Sequence, residues 1–285
     1  MDIVSKQIKD YSIDGIEKDY EKLTVNKSFA AGSTVGNKVV DFFTFAERLN
    51  TTSRKGISFH EFLDNINSFR DKHYFIQFMN NNCNKNTTSK LYRFYNLYFG
   101  SVTIFKPLNA MIVYNKYKPN SVLDFTMGWG GRLVGACASN IGKYIGIDSN
   151  TRLEEPYQKM TSFLEQRSTT TIDLHFCDSL DVDYSKLDYD LVLTSPPYYN
   201  IEIYGDEIIP YQTREEWNEQ FYTPIFERTF RYLKKGGKYC LNVPPVIYND
   251  VCVPLLGEAD EFIPLPITKR NQTSKYHEFI YVWAK

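Results

Sequence analysis

The fold of this chain is decided by one stretch, Ser121-Val122-Leu123-Asp124-Phe125-Thr126-Met127-Gly128-Trp129-Gly130-Gly131-Arg132-Leu133. It begins as a short apolar strand, turns through a Gly-x-Gly-Gly sequence and continues as a helix-like segment from Arg132 to Ala138. Glycines in such a turn tolerate positive φ and let backbone N–H groups approach a ligand closely. A strand, a glycine turn and a helix in this order predict an α/β domain that binds a ligand at the turn.

A second short strand, residues 143–148, ends in the carboxylate of Asp148, which lies 20 residues beyond Gly128. At that spacing an acidic residue reaches ribose hydroxyls in nucleotide-binding α/β folds. A dinucleotide-dependent oxidoreductase would also explain these features. The turn lacks the third glycine of the dinucleotide motif Gly-x-Gly-x-x-Gly, however, because Leu133 occupies its place.

A second motif, Thr194-Ser195-Pro196-Pro197-Tyr198, follows the apolar segment 189–193, which is typical of a buried strand. Two consecutive prolines end the strand because they donate no backbone hydrogen bond and hold the chain extended. The motif therefore presents a small hydroxyl, a rigid carbonyl and an aromatic ring at the carboxyl end of a strand, where open α/β sheets bind ligands. A dinucleotide oxidoreductase would not explain this motif.

Together the two motifs resemble those of the DNA amino-methyltransferases, which methylate exocyclic base nitrogens with S-adenosylmethionine. That family carries an Asp-Pro-Phe-x-Gly-x-Gly cofactor loop and an (Asp/Asn/Ser)-Pro-Pro-(Tyr/Phe) catalytic loop. Asp124, Gly128 and Gly130 agree with the first, although Phe125 and Thr126 replace its Pro and Phe. Residues 195–198 agree with the second throughout.

The resemblance implies an α/β fold of class I: a Rossmann-like, mostly parallel seven-stranded sheet with a mainly helical N-terminal elaboration. The segment before the helix-like residues 108–117 would close over the methionine end of the cofactor, the acid after the third strand would contact the adenine, and residues 275–283 would form the last, antiparallel strand. The residues assigned to S-adenosylmethionine on this basis are Phe105, Lys106, Pro107, Asp124, Thr126, Gly128, Gly130, Asp148 and Asp178.

For catalysis the resemblance assigns Ser195, Pro196, Pro197 and Tyr198. An exocyclic amine is a poor nucleophile because its lone pair is delocalised into the base, so the enzyme must accept its hydrogens. The Ser195 hydroxyl and the Pro196 carbonyl would accept them, Pro197 would keep both acceptors rigid, and Tyr198 would stack on an extruded base. Serine in the first position favours cytosine N4 over adenine N6.

Other functions stay open at this point. RNA and protein-glutamine N-methyltransferases share a Pro-Pro-Tyr loop, usually with Asn or Asp in place of Ser195. A methyltransferase fold that serves as an inactive binding subunit is a further alternative. Ring-carbon methylation needs a cysteine nucleophile, whereas Cys177 and Cys240 lie within predicted strands and no Pro-Cys pair occurs. The resemblance also implies restriction–modification, with double- or single-stranded DNA as partner and a cognate nuclease acting separately.

Composition narrows the remaining classes. Five cysteines and four histidines show no metal-ligand spacing, so no metal is expected. No apolar run approaches the ~20 residues of a membrane span, and the first residues lack the apolar core of a signal peptide. We therefore expect an intracellular, cytoplasmic protein without a membrane partner. Residues 1–110 carry 15 Lys/Arg against 11 Asp/Glu, and the remainder 18 against 23, so the mild basic excess lies in the N-terminal part.

Two regions are predicted: 1–100, mainly helical and a candidate target-binding region, and 101–285, the catalytic domain. Helical spacing of apolar residues predicts helices over 42–49 and 59–79. Residues 90–99 interleave basic and aromatic residues, which suits base stacking, but we favour a helix that buries an aromatic face on the sheet. Residues 244–275 contain several prolines and little periodicity, which predicts an extended loop region.

Overall fold

The structure, a computed structural model, describes residues 3–25, 32–52, 56–81, 87–199, 211–265 and 278–285. Within these residues one sheet of seven strands has the order β3-β2-β1-β4-β5-β7-β6. The strands are β1 (Ser121–Asp124), β2 (Lys143–Asp148), β3 (Thr171–Phe176), β4 (Leu191–Thr194), β5 (Lys238–Leu241), β6 (Glu261–Pro264) and β7 (Phe279–Ala284). Strands β1 to β5 run parallel, and β7 lies antiparallel to both β5 and β6.

Helices flank the sheet on both faces and make up most of the N-terminal part. They are α1 (Ile3–Ile8), α2 (Ile13–Thr24), α3 (Asn37–Asn50), α4 (Phe59–Asp64), α5 (Asn67–Arg70), α6 (His73–Asn80), α7 (Thr87–Tyr98), α8 (Pro107–Tyr117), α9 (Gly131–Ala138), α10 (Glu154–Glu165), α11 (Arg214–Trp217), α12 (Thr223–Tyr232), α13 (Pro245–Ile247) and α14 (Val253–Leu256). Among the described residues, none of these helices has the length and apolar composition that crossing a bilayer requires.

Both faces of the sheet are covered, so consecutive residues in the middle of its central strands are apolar rather than alternating with polar ones. On β4, Leu191 and Leu193 belong to one buried cluster and Val192 to the other. The first cluster is packed by α2, α3, α8, α9 and α10. The second is packed by α11, α12 and α13. The sheet is thus the middle layer of three.

A third cluster, which we call the aromatic cluster, lies apart from the sheet. Its buried members are Phe45, Leu49, Phe59, Phe62, Phe75, Phe94 and Tyr95, from α3, α4, α6 and α7. We expected residues 90–99 to bury an aromatic face on the sheet. That expectation is wrong about the surface against which the face packs. The helix forms, as α7, but Phe94 and Tyr95 pack on α4 and α6 because those helices supply matching aromatic faces.

The single helix predicted over 59–79 is instead α4, α5 and α6. Helix α4 starts at the N-cap Ser58, whose hydroxyl accepts from the Glu61 N–H in a capping box. It ends at Asn65, whose side-chain amide donates to the Glu61 carbonyl at 2.9 Å. Short polar side chains compete in this way with the backbone, and they break helices that apolar spacing alone would continue. Asp71, which C-caps α5, marks the second break.

Residues 244–265 are also more ordered in secondary structure than predicted. Helices α13 and α14 are joined by a π-helical segment, Tyr248–Cys252, and strand β6 follows. Pro245 lies at the first position of this helical stretch, where a proline removes no helical hydrogen bond. Residues 266–275, the rest of the predicted loop, lie outside the described residues. The predicted final antiparallel strand is confirmed over Phe279–Ala284, and its residues 275–277 lie outside as well.

The predicted boundary at residue 100 remains a prediction, and the core of the sheet extends across it. Helices α2 and α3 contribute Ile16, Tyr20 and Val39 to the cluster that α8 and α9 share. Arg167 after α10 also forms an ion pair with Glu17 of α2. The N-terminal part therefore consists of α2 and α3, which contribute to the core of the sheet, and of α1 and α4 to α7, which pack around the aromatic cluster.

Helices α8 and α9 pack closely because α9 carries glycines where the two helices meet. A Cβ added at Gly131 would lie 1.7 Å from the Phe105 carbonyl oxygen, and one at Gly135 would lie 2.8 Å from the Pro107 carbonyl oxygen. These glycines are one helical turn apart and bring the start of α8 against α9. The segment 105–107 is thereby held directly beside the glycine turn.

We expect Gly131→Ala to destabilise the protein strongly, because the clash is with backbone that moves only if the whole segment 105–107 moves. Overpacking costs about 1–3 kcal/mol, and a backbone clash lies at or above the upper end. Urea unfolding gives the free energy. Gly15→Ala in α2 is the matched control: the nearest atom to the new Cβ is the flexible Ser12 hydroxyl at 3.1 Å. Equal effects of the two substitutions would contradict the close-approach role of Gly131.

Candidate functional site

The acid that ends β1 is buried and bound by three protein groups. Asp124 has 0% of its surface exposed. One carboxylate oxygen accepts from Arg132 Nε at 2.6 Å and from the Tyr144 hydroxyl at 2.6 Å. The other accepts from the Thr194 hydroxyl at 2.8 Å. Asp124 therefore ties β1 to α9, β2 and β4, and a direct contact with the cofactor stays a prediction.

Arg132 is charged although it is buried. Burial opposes its charge, but the charge of Asp124 and the hydrogen bond between them outweigh this and raise the pKa of the guanidinium. The same guanidinium donates to the Thr126 carbonyl and lies 5.1 Å from the Phe105 ring centroid, a cation–π distance. Arg132 thus fixes both the cofactor loop and the segment before α8.

The glycine turn after β1 needs its glycines. Gly128 and Gly130 have φ of 55° and 89°, the left-handed region that other residues rarely adopt. The Tyr157 hydroxyl on α10 lies 2.9 Å from the Gly128 carbonyl, which it can donate to. A Cβ at Gly128 would meet nothing closer than the Thr126 carbonyl at 3.9 Å, so space for a ligand opens at this residue.

Asp148 lies at the carboxyl end of β2 and faces the same turn. Its two oxygens accept from Gly128 N at 2.7 Å and Asn150 N at 3.0 Å. Burial raises its pKa above the ordinary value, and those two hydrogen bonds oppose the rise. An ionised carboxylate has about four acceptor positions, so two remain available for ribose hydroxyls.

Three further residues predicted to bind the cofactor lie at the start of α8 and after β3. Lys106 is the N-cap of α8 and Pro107 its first residue, directly beside Gly131. Asp178 follows β3, is exposed, and accepts from Leu180 N at 2.9 Å. The placement of Cys177 within a strand is wrong: β3 ends at Phe176 and Cys177 is exposed in the turn, because the edge strand stops where its pairing with β2 stops.

The predicted catalytic loop is hydrogen-bonded to the cofactor loop. Strands β1 and β4 are adjacent and parallel, so both loops leave the same edge of the sheet. The Thr126 and Thr194 hydroxyls lie 2.6 Å apart. Since Thr194 gives its hydrogen to Asp124, Thr126 is the donor between them. This edge is the switch point at which the strand order reverses, the place where open α/β sheets bind ligands.

Within the catalytic loop, Ser195 and Tyr198 meet a residue from β5. The Ser195 and Tyr198 hydroxyls are 3.0 Å apart, and they lie 3.3 Å and 3.0 Å from Asn242 Oδ1. Asn242 directly follows β5, and its own backbone N–H donates to the Thr194 carbonyl at 3.0 Å. The two side chains predicted to touch the substrate are therefore anchored from the neighbouring strand.

The Tyr222 hydroxyl holds the end of the loop at two points. Tyr222 donates to the Pro197 carbonyl at 2.5 Å and accepts from Tyr199 N at 3.0 Å. Tyr199 adopts φ of 54°, which is unusual for a residue with a side chain. Tyr222 ends the π-helical segment Asn218–Tyr222 between α11 and α12. Strained backbone and π-helical turns often occur at functional sites.

Sequence reasoning missed three contributors: Arg132, Tyr222 and Asn242. The signal for Asn242 was available, since it is a polar residue at the carboxyl end of a predicted strand. Arg132 was visible within the glycine motif but has no assigned role in the family pattern. Tyr222 had no signal, because only the π-helical turn brings its hydroxyl to the loop. Across the described residues, no group of three His, Cys, Asp or Glu side chains is arranged as a metal site requires.

The strand order, with its parallel strands and antiparallel β7, is that of the class I S-adenosylmethionine-dependent methyltransferases. The predicted fold class is thereby confirmed.

Comparison with known proteins found similarity over part of the chain. The chain is 39% identical over 70 residues to the type II methyltransferase M.MjaVI of Methanocaldococcus jannaschii. The matched segment covers 24% of this chain and 34% of that protein. Among solved structures it resembles TrmN from Thermus thermophilus (TM-score 0.38, 16% identity, 62% of this chain, 48% of that chain). It also resembles an rRNA methylase from Streptococcus thermophilus (TM-score 0.41, 12% identity, 64% of this chain, 97% of that chain). No protein-family model matches the chain.

Arg132→Met should cost about 3–5 kcal/mol of unfolding free energy, because it leaves the buried Asp124 charge unpaired. Adding Asp124→Asn should recover part of this loss, since the remaining group is neutral. Chemical denaturation of both single variants and the double variant measures the coupling. Arg231→Met, at an exposed pair with Glu227, is the matched control and should change stability by less than ~0.5 kcal/mol. Additive losses at positions 124 and 132 would contradict the proposed ion pair.

Proposed function

We propose that this protein is an S-adenosylmethionine-dependent DNA methyltransferase that modifies an exocyclic nitrogen of a flipped-out base, cytosine N4 in preference to adenine N6. One observation carries the proposal. A Ser-Pro-Pro-Tyr loop leaves β4 beside the glycine turn of β1, and Thr194 joins the two through hydrogen bonds to Thr126 and Asp124. The likeness to a type II methyltransferase supports DNA as substrate and accords with restriction–modification, whereas a cognate nuclease stays a prediction.

The residues at the glycine turn fit the adenosine part of the cofactor. Space opens at Gly128, where an added Cβ would meet no protein atom closer than 3.9 Å. Asp148 keeps acceptor positions for ribose hydroxyls. The Asn150 side-chain nitrogen is buried and has no hydrogen-bond acceptor among the described residues, as expected beside a polar ligand. Asp178 would contact the adenine, and residues 105–107 would close the methionine end.

When bound, S-adenosylmethionine would supply an electrophilic methyl group for the amine nitrogen; the sulfur would keep the electron pair of the broken S–C bond, and the methylated nitrogen would then lose a proton. Ser195 and the Pro196 carbonyl accept the amine hydrogens and so return the lone pair to the nitrogen. Pro197, the Tyr222 hydroxyl and Asn242 hold these acceptors in place before the base arrives, which avoids reorganisation during the reaction. Serine is too weak a base to take the proton, so water takes it.

Tyr198 provides the stacking surface for the base. A base inside a duplex cannot reach the methyl group, so it must leave the stack. Tyr198 is partly exposed and its hydroxyl is anchored to Asn242, which fixes the direction in which the side chain points. DNA approaches through the mildly basic N-terminal part, and this association weakens as salt rises.

Asp148→Ala should weaken S-adenosylmethionine binding by about 1.5–3 kcal/mol, the value of hydrogen bonds to a charged group. The affinity of the natural protein should also fall with decreasing pH, because only the ionised carboxylate accepts both hydroxyls. Because burial raises the pKa of Asp148, this loss should occur at a pH above 3.8, the ordinary pKa of an aspartate side chain. Calorimetry across pH checks both, with the exposed Asp183→Ala as control. Unchanged affinity in Asp148→Ala would remove Asp148 from the site.

Ser195→Ala should keep its fold and most of its cofactor affinity but lose most methyl transfer, since Ser195 serves the amine and not the cofactor. The assay is transfer of labelled methyl to unmodified amplified genomic DNA, RNA and protein in parallel, followed by mass spectrometry of nucleosides. The control is Ser162→Ala, which makes the same chemical change at an exposed serine on α10 outside the catalytic loop.

The product decides between the candidate functions. N4-methylcytosine is expected, and N6-methyladenine would keep the amino-methyltransferase assignment while changing the base. Detection of 5-methylcytosine would exclude it. Methylated RNA or protein without modified DNA would assign the chain to the alternative substrates, and wild-type turnover in Ser195→Ala would reduce the motif to a strand exit.

A further inference from the structure

Asn242 is fixed in one orientation by its surroundings. The residue is 2% exposed. The Nδ2 atom donates to the Phe279 carbonyl at 3.0 Å. A carbonyl oxygen can only accept, so the amide cannot be reversed without losing this bond and setting two oxygens against each other. The Oδ1 atom consequently faces the hydroxyls of Ser195 and Tyr198.

This orientation controls where the hydroxyl hydrogens go. Oδ1 accepts and cannot donate, and it lies 3.3 Å from Ser195 Oγ and 3.0 Å from the Tyr198 hydroxyl. Each hydroxyl carries a single hydrogen. The Asn242 backbone carbonyl, 3.2 Å from the Tyr198 hydroxyl, is a further acceptor on the same side. With acceptors concentrated at Asn242, both hydrogens are drawn toward it or into the 3.0 Å contact between the two hydroxyls.

We infer that Asn242 is a positioning residue for methyl transfer: it directs the Ser195 hydrogen inward, so that Ser195 Oγ presents a lone pair to the substrate amine. The inference rests on the proposed function. A serine used as an acceptor faces a difficulty that a carboxylate does not, since its own hydrogen, if turned toward the amine, would replace an attraction by a repulsion. Asn242 avoids this repulsion because it accepts the Ser195 hydrogen on the side of the loop that faces away from the amine.

Asn242→Leu tests the role by removing the acceptor at similar volume. We expect kcat to fall roughly ten- to a hundredfold, the scale of effects from misplaced reacting groups. KM for DNA and the calorimetric affinity for S-adenosylmethionine should change little. Labelled S-adenosylmethionine with unmodified amplified genomic DNA is the assay, or RNA or protein if that is the acceptor identified for the natural protein.

Asn242→Asp adds a readout that a structural role would not produce. When protonated, the new carboxyl donates to the Phe279 carbonyl and accepts from both hydroxyls, as the amide does. When ionised, it sets an oxygen against that carbonyl and loses the geometry. The kcat of this variant, relative to the natural protein, should therefore rise as the pH falls from about 8 to about 5.5, in the range to which burial raises carboxyl pKa values. Asn140→Asp, an exposed residue after α9, is the matched control and should show a constant ratio.

Neutron diffraction of the deuterated natural protein tests the inference without a variant. The Ser195 deuterium should point to Asn242 Oδ1 or to the Tyr198 oxygen, and a deuterium turned away from both would overturn the inference. Natural kcat in Asn242→Leu, or a pH-independent ratio in a folded Asn242→Asp, would equally overturn it. If the natural protein methylates neither DNA, RNA nor protein, the proposed function fails, while the neutron result still reports the hydrogen positions.

Discussion

The buried carboxylate of Asp124 holds the functional edge of this sheet together. It is the common partner of Arg132, Tyr144 and Thr194, which come from α9, β2 and β4. Removing a carboxylate from water is costly, and the cost is offset only when charge and hydrogen bonds are both supplied. Here a buried guanidinium supplies the charge and two hydroxyls supply further bonds. The two loops at the edge are therefore fixed relative to each other by the same acid.

The same arrangement holds the loop at residue 126, where the sequence differs from the motif of the DNA amino-methyltransferases. Thr126 stands where the family carries Phe, and its hydroxyl donates to Thr194. Its backbone carbonyl is also bound by Arg132. The loop is thus held by polar bonds at the position where the family uses an aromatic side chain. Phe125 is fully buried in the cluster on the opposite face, next to Phe226 at 6.2 Å, so the apolar packing is supplied one residue earlier.

Much of the fold followed from the sequence, because parallel strands covered on both faces leave short apolar runs between glycine turns and helices. The segments of β1, β2 and β4 were located in this way, whereas the segment of β7 was predicted from the resemblance. The predictions that failed concern elements whose structure depends on contacts that the local sequence pattern does not show. The break at Asn65 depends on one hydrogen bond from a side chain to the backbone, and periodicity does not indicate which surface α7 covers.

The same limit applies to the residues of the candidate site. Asn242 reaches the catalytic loop only because β5 pairs with β4 and ends at the same edge, and Tyr222 reaches it only through a π-helical turn between α11 and α12. Sequence motifs thus report the groups that face a ligand, and the groups that orient them appear once the pairing of strands is known.

The N-terminal helices connect the cofactor edge to the rest of the chain. The Thr44 hydroxyl of α3 lies 3.3 Å from the carbonyl of Trp129, inside the glycine turn. Glu47 of the same helix forms an ion pair with Arg152, just beyond Asp148. The opposite side of α3 gives Phe45 and Leu49 to the aromatic cluster. Helix α3 therefore contacts the glycine turn on one side and the aromatic cluster on the other. Through α3, helices α4 to α7 are packed onto the part of the molecule that carries the glycine turn, so the aromatic cluster and the turn share one helix.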